Sequence, residues 1–202
     1  LAVICKKPFE SYPVSNLLHR FVPVIPVNDN CRALNLGYGS GKEALVLAGR
    51  GYTVDAVDMQ PPSRTLQSFV EERRLPIRFH CCRIEDFLLN AAPGTFDVLV
   101  AIYVLHHKDR TGIFLFNSQM PAMMNALRSN GLFICTLMKY RSGVKSKTDS
   151  NLAGLTNLWL EKIWRPYLKE VHYEPERLYD AEEDDPSCVS LQCEWDLVAR
   201  KI

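Results

Sequence analysis

The chain has 202 residues, 47% hydrophobic and 23% charged, which suits one globular domain with a sizeable core and excludes disordered, collagen-like or coiled-coil classes. Lys+Arg total 24 against 23 for Asp+Glu, a net charge of +1, which speaks against a dedicated nucleic-acid binder, whose phosphate contacts leave a strongly basic surface. No apolar run approaches the roughly 20 residues of a membrane span, so no membrane partner is expected.

Taken in order, residues 1–30 differ in character from the remainder of the chain: Pro8, Pro13, Pro23 and Pro26 break any long helix around Val14–Phe21. They read as an N-terminal arm or lid on a single domain spanning 1–202. The start, Leu1 to Lys7, places its charges after a very short apolar stretch, the reverse of a signal peptide. Seven cysteines, an odd number without Cys-x2-Cys spacing, read as free buried thiols, with a cytoplasmic location and no metal site.

From residue 31 short apolar runs alternate with amphipathic ones, the pattern of βαβ units around a parallel sheet. Strands are expected at about 32–36, 52–58, 77–82, 96–102, 131–138, 168–174 and 188–200. Between them, 41–50 predicts a helix stopped by Gly51 in a left-handed cap. Leu66, Phe69 and Val70 form the apolar face of the next helix, which Pro76 ends. Met120, Met123, Met124 and Leu127 mark another as core filler, with Pro121 in its first turn. Trp159, Trp164 and Tyr167 belong to a further helix, as core or as the wall of an apolar pocket. Lys139, Arg141, Lys145 and Lys147 form a basic loop, and Asp180, Glu182, Glu183, Asp184 and Asp185 an acidic one. Such charge runs are usually solvated surface.

The informative segment is Asn35-Leu36-Gly37-Tyr38-Gly39-Ser40-Gly41, after one strand and before a helix. Alternate glycines let the backbone turn sharply and let a ligand approach the free N–H groups of the helix. A phosphate loop needs Gly-x4-Gly-Lys-Ser/Thr, but Leu36 and Glu43 occupy the first and last of those places. A dinucleotide fingerprint needs a last glycine where this chain has Lys42. About 20 residues on, Asp58 ends a strand, where a carboxylate can grip a ribose diol. Asp55, inside that strand, is the competing acid and reads as a cap or an edge-facing residue.

At these residues, and through Leu47 to Asp58, the chain resembles the class I S-adenosylmethionine-dependent methyltransferases, in particular the small tellurite-resistance and thiopurine-type subgroup. Thr95 to Ala101 with Val104-Leu105-His106-His107 is similar to the family's fourth-strand motif, and Ala126 to Phe133 to its helix-turn-strand motif. The resemblance implies a doubly wound α/β, Rossmann-like fold with a mostly parallel seven-stranded sheet whose last strand is antiparallel. It implies S-adenosyl-L-methionine as cofactor, S-adenosyl-L-homocysteine as product, and methyl transfer to a small-molecule acceptor. The alternatives are a protein or nucleic-acid methyltransferase, or a non-catalytic cofactor-binding homologue.

By the same resemblance Gly37, Tyr38 and Gly39 line the methionine and ribose, with Asn35 beneath them. Asp58 accepts from both ribose hydroxyls and Met59 lies against adenine. The segment 82–87, with Ile84 and Glu85, meets the adenine edge, and Ala101, Ile102 and Tyr103 face the sulfonium. Two positions depart from the family. Asn35 stands where an acid is usual, removing a negative charge near a cationic ligand. Arg83, also at a place often acidic, cannot accept a hydrogen bond, which passes adenine recognition to Glu85, Asp86 or a backbone carbonyl.

Methyl transfer from a sulfonium mainly requires alignment, and a general base only where the acceptor must lose a proton. His106 and His107, which the resemblance places at the rim where substrate meets cofactor, are the candidate catalytic pair, with packing or helix capping as the other reading. His80 reads as a core or face residue. The basic loop could attract an anionic substrate, and Tyr12 and His19 of the arm could close over the cofactor.

Overall fold

The computed structural model describes residues 16–24, 30–140, 156–178 and 192–202. Its elements are α1 (Asn16–Phe21), β1 (Arg32–Leu36), α2 (Lys42–Gly49), β2 (Thr53–Asp58), α3 (Arg64–Glu72), β3 (Ile77–Cys81) and α4 (Ile84–Asn90). Next come β4 (Phe96–Ile102), α5 (Leu115–Ser118), α6 (Met120–Ala126), β5 (Leu127–Tyr140), α7 (Asn157–Trp164), β6 (Leu168–Leu178) and β7 (Gln192–Lys201). The seven strands form one sheet in the order β3-β2-β1-β4-β5-β7-β6. β1 to β5 run parallel, and β7 is antiparallel to both β5 and β6. The expected doubly wound, seven-stranded architecture is therefore present. No helix among the described residues is long and apolar enough to cross a membrane.

Central strands covered on both faces are expected to be apolar at successive positions, and here they are apart from buried Asn35 in β1 and Asp55 in β2. Ala33, Val54, Ala56, Val98, Val100 and Ile134 point to one side, under Leu17 and Leu18 of α1, Ala44 and Leu47 of α2, and Leu66 and Val70 of α3. Leu34, Leu36, Val57, Leu99, Ala101 and Phe133 point to the other, under α4, α5, α6 and α7. The methionine stripe is core, with Met120, Met123 and Met124 all buried. Pro121 sits in the first turn of α6, and Gly51 takes φ 97° after α2, both as expected.

Several local expectations shift. Leu127 is the first residue of β5, extended and paired with Phe96, because a register break between Phe96 and Val98 lengthens the strand backward. α3 stops at Glu72, ahead of Pro76, where Arg74 turns left-handed at φ 51°. Phe69 is 43% exposed, off the Leu66–Val70 line, with the Arg73 guanidinium over its ring. Trp164 is buried and Tyr167 lies beyond the end of α7. Short α4 and α5 carried no separate sequence expectation. The thiols are not uniformly buried: Cys135 is, Cys31 and Cys82 are half-buried, and Cys81 is exposed on edge strand β3.

Asp55 neither caps nor faces solvent. It is 2% exposed, accepts from Arg32 Nη2 at 2.6 Å and pairs with His80 Nε2 at 2.8 Å, and Arg78 stands 3.8 Å away. His80 is thus a partner across the β2–β3 border. Burial pushes the Asp55 carboxyl pKa up, but the bonds from Arg32 and His80 outweigh it and hold it below its ordinary 3.8. Asp55→Ala removes these charge-assisted hydrogen bonds but leaves partners that keep solvent contact, Arg32 being 39% exposed, so it should cost about 1–3 kcal/mol in urea unfolding at pH 7. The depressed folded-state pKa means this contribution is complete above pH 3.8 and fades as pH falls through the lowered value. The stabilities of wild type and variant should therefore converge only in that acid range.

Candidate functional site

The strand order reverses between β1 and β4, and their carboxyl ends open the crevice where α/β sheets take ligands. Leu36 is in register with both Val57 and Ala101, so Gly37, Asp58 and Ile102 stand level at the sheet's edge. The β1–α2 loop turns on Gly37, Gly39 and Gly41, with φ of 67°, 46° and 84°. A Cβ on Gly37 would meet Val104 Cγ2 at 2.6 Å, whereas one on Gly39 would meet nothing within 4 Å. The loop is therefore packed below and open above. The Gly37 N–H donates to the Val57 carbonyl at 2.7 Å.

Asn35, 1% exposed, lies just before this loop, and its Oδ1 has no hydrogen-bond partner. Tyr38 offers the crevice its backbone only. Its ring is 2% exposed, packs on Phe79 at 5.1 Å and donates its hydroxyl to the Gln60 carbonyl at 2.7 Å. Burial, then the nearby Asp58 charge, raises the phenol pKa to about 12.

Asp58 faces the loop from the end of β2. Its Oδ2 accepts from the Gly39 N–H and its Oδ1 from the Gln60 N–H, both at 3.0 Å. Met59 is 60% exposed beside it, with its carbonyl accepting from Cys81 Sγ at 3.3 Å. Arg83 spans this mouth: Nε and Nη2 donate to Glu85 Oε1 at 3.2 and 2.8 Å, and Nη1 reaches Met59 Sδ at 3.7 Å. Ile84 is only 7% exposed and sits in the core, as does Ala101 at 0%, so Ala101 can present only main chain here.

Past β4 the chain turns at Tyr103, φ 53° and 38% exposed, whose N–H donates to the Thr136 carbonyl at 2.9 Å. Leu105 drops into the core and carries His106 and His107, their rings 4.4 Å apart. His106 is half-buried with Nδ1 unpartnered. Burial, and then repulsion by His107, lowers its pKa to about 3, and burial also lowers that of His107. Asp109 fastens this connection, accepting from the Thr111 N–H at 2.8 Å, the Thr111 hydroxyl at 2.7 Å and the Ile113 N–H at 3.0 Å. Arg110 ties it to Asp86 of α4 at 2.6 Å.

The crevice thus gathers Gly37, Gly39, Asp58, Met59, Glu85 and Tyr103 at its rim, with Asn35 below and the histidine pair to one side. Tyr12, Arg141, Lys145, Lys147 and the acidic run at 180–185 lie outside the described residues. His19 of α1 is exposed, and its carbonyl accepts from Arg50 Nη2 at 3.0 Å. Gln60 and Asp109 escaped the sequence reading, and Val104 entered it only as part of the fourth-strand motif. Only Asp109 had a local signal, the Asp-x-Thr spacing of a side-chain-capped turn. Because His106 is neutral when folded and basic near pH 6.5 when unfolded, stability should decline as pH falls from 6.5 toward 3. Thermal midpoints of His106→Gln should fall less steeply over that range, with His107, whose pKa is also lowered, keeping its own part of the slope.

The methyltransferase domain family model matches residues 34–135, half of the chain. No curated protein sequence matches it significantly. Among solved structures, 1,6-didemethyltoxoflavin N1-methyltransferase of Burkholderia thailandensis, with 1,6-didemethyltoxoflavin and S-adenosylhomocysteine bound, superposes at TM-score 0.64 and 17% identity, covering 92% of this chain and 74% of that one. TehB of Haemophilus influenzae gives 0.70 and 18%, covering 93% and 60%. Phosphoethanolamine N-methyltransferase 2 of Haemonchus contortus, in complex with S-adenosyl-L-methionine, gives 0.67 and 18%, covering 92% and 51%. The chain therefore spans little more than half the length of some of these proteins. With a glycine loop, a strand-terminal acid and a sheet order that all agree with the family match, the chain belongs to the methyltransferase domain family, the class I enzymes that use S-adenosylmethionine.

Proposed function

We propose that the chain transfers the methyl group of S-adenosylmethionine to a small-molecule acceptor, with the cofactor lying across the glycine loop and Asp58. The observation that carries this reading is the Asp58 carboxylate, fixed by two backbone N–H groups at the open side of Gly39. Each carboxylate oxygen can accept more than one hydrogen, so both can also receive a ribose hydroxyl. The orphaned Asn35 Oδ1 is an acceptor suited to the cofactor's ammonium group, and exposed Met59 offers a flexible, polarisable side chain to adenine.

Once bound, the cofactor supplies an electrophilic methyl carbon, and in-line attack by the acceptor returns the carbon–sulfur electron pair to sulfur. The remaining work is positioning, which can supply on the order of 7–11 kcal/mol. His106, with a pKa of about 3, is too weakly basic to take a proton near neutrality and serves as a neutral hydrogen-bonding group. His107, more open to solvent, is the candidate base where the acceptor must lose a proton. Glu85 keeps Oε2 for the base edge while Oε1 holds Arg83.

Calorimetry should show binding of both S-adenosylmethionine and S-adenosylhomocysteine, and no binding of either at millimolar concentration would overturn the proposal. Asp58→Ala should weaken both by about 1–3 kcal/mol through lost charge-assisted hydrogen bonds. Labelled cofactor offered to pools of amines, thiols and phenols should mark a small molecule. Turnover on that acceptor should fall in His107→Ala, and an unchanged rate would return His107 to a packing role.

A further inference from the structure

We infer that Tyr38 is a positioning residue for the cofactor, acting through Asp58 rather than by touching the ligand. The inference rests on the proposed role of Asp58. The two loops that form the crevice's floor come from different strands, and their relative position must be fixed for one carboxylate to meet a diol. The Tyr38 hydroxyl donates to the Gln60 carbonyl, the Gln60 N–H donates to Asp58 Oδ1, and the Gly39 N–H donates to Asp58 Oδ2. Since Gly39 follows Tyr38 and Gln60 lies two residues past Asp58, these three bonds and the intervening main chain close a ring.

Each part of that ring depends on the others. Asp58 ends β2, still paired with Cys81, but Met59 and Gln60 lie past the strand without entering a helix, so no regular backbone ladder holds those two. Met59 is steadied from outside by the Cys81 thiol and the Arg83 guanidinium, but both contacts are exposed to water. The Tyr38 phenol is buried against Phe79 in the core and pulls on Gln60 from below. Packing alone would be satisfied by phenylalanine. What the hydroxyl adds is a fixed height for Gln60, and with it the direction of the Asp58 oxygens.

The test is a double-mutant cycle on the whole chain, read as affinity for S-adenosylhomocysteine. Tyr38→Phe should weaken binding roughly fivefold, the worth of one hydrogen bond, and by less than twofold when Asp58 is already alanine. An equal loss in both backgrounds, or no loss in the wild-type background, would overturn the inference. Amide hydrogen exchange on the ligand-free protein supplies a second readout: Gly39 and Gln60 should exchange roughly fivefold faster in Tyr38→Phe. Unchanged exchange at both would likewise overturn it. Should the wild type bind neither cofactor form, the proposed function fails, and exchange at these amides still decides whether the phenol governs the ring.

Discussion

The reversal of winding between β1 and β4 is the constraint on which the rest of this molecule depends. Parallel strands need long crossovers, and right-handed crossovers going outward from β1 lay α2 and α3 on one face of the sheet. The return through α4 to β4 lays the later helices on the other. Where the two directions part, the loops leaving β1 and β4 diverge and cannot cover the sheet's edge. The crevice is thus a by-product of burying both faces, and the chain has only to furnish its rim.

Two aspartates three residues apart on β2 show how position in that frame divides charge used within the sheet from charge left at the crevice. Side chains alternate along a strand, but Asp58 is also the last residue, where the sheet meets the crevice. Asp55 points into the packed side, where it is paired with the Arg32 guanidinium and hydrogen-bonded to His80, so its charge is consumed by the fold. Asp58 is held by backbone N–H groups alone, which orient a carboxylate without cancelling its charge. The first arrangement stabilises the β1–β2–β3 border. The second leaves a fixed acceptor at the edge of the crevice, the group proposed to meet the ribose diol.

The histidine pair shows burial acting in the opposite sense. Desolvation and repulsion by His107 push His106 far from the range in which an imidazole exchanges protons, although adjacent histidines beside a crevice look like acid–base machinery. Its neighbour, one residue nearer solvent, keeps more of that capacity. The loop that presents them is fixed by Asp109 and by the Arg110–Asp86 pair, so the rings are presented from a braced segment.

The sequence by itself determined the sheet, the glycine turn, the strand-terminal acid and hence the family. Each is written in local signals: runs apolar at successive positions, glycines at alternate ones, and a carboxylate at the end of β2. What only the tertiary structure decided are matters of register and facing. It turned Ala101 and Ile84 into the core, left Phe69 outside it, gave Asp55 its partners and placed the Tyr38 hydroxyl on a carbonyl 22 residues away. Those outcomes depend on which strand lies beside which and on how a helix is rotated over the sheet. They come from long-range packing, and no window of a dozen residues contains them.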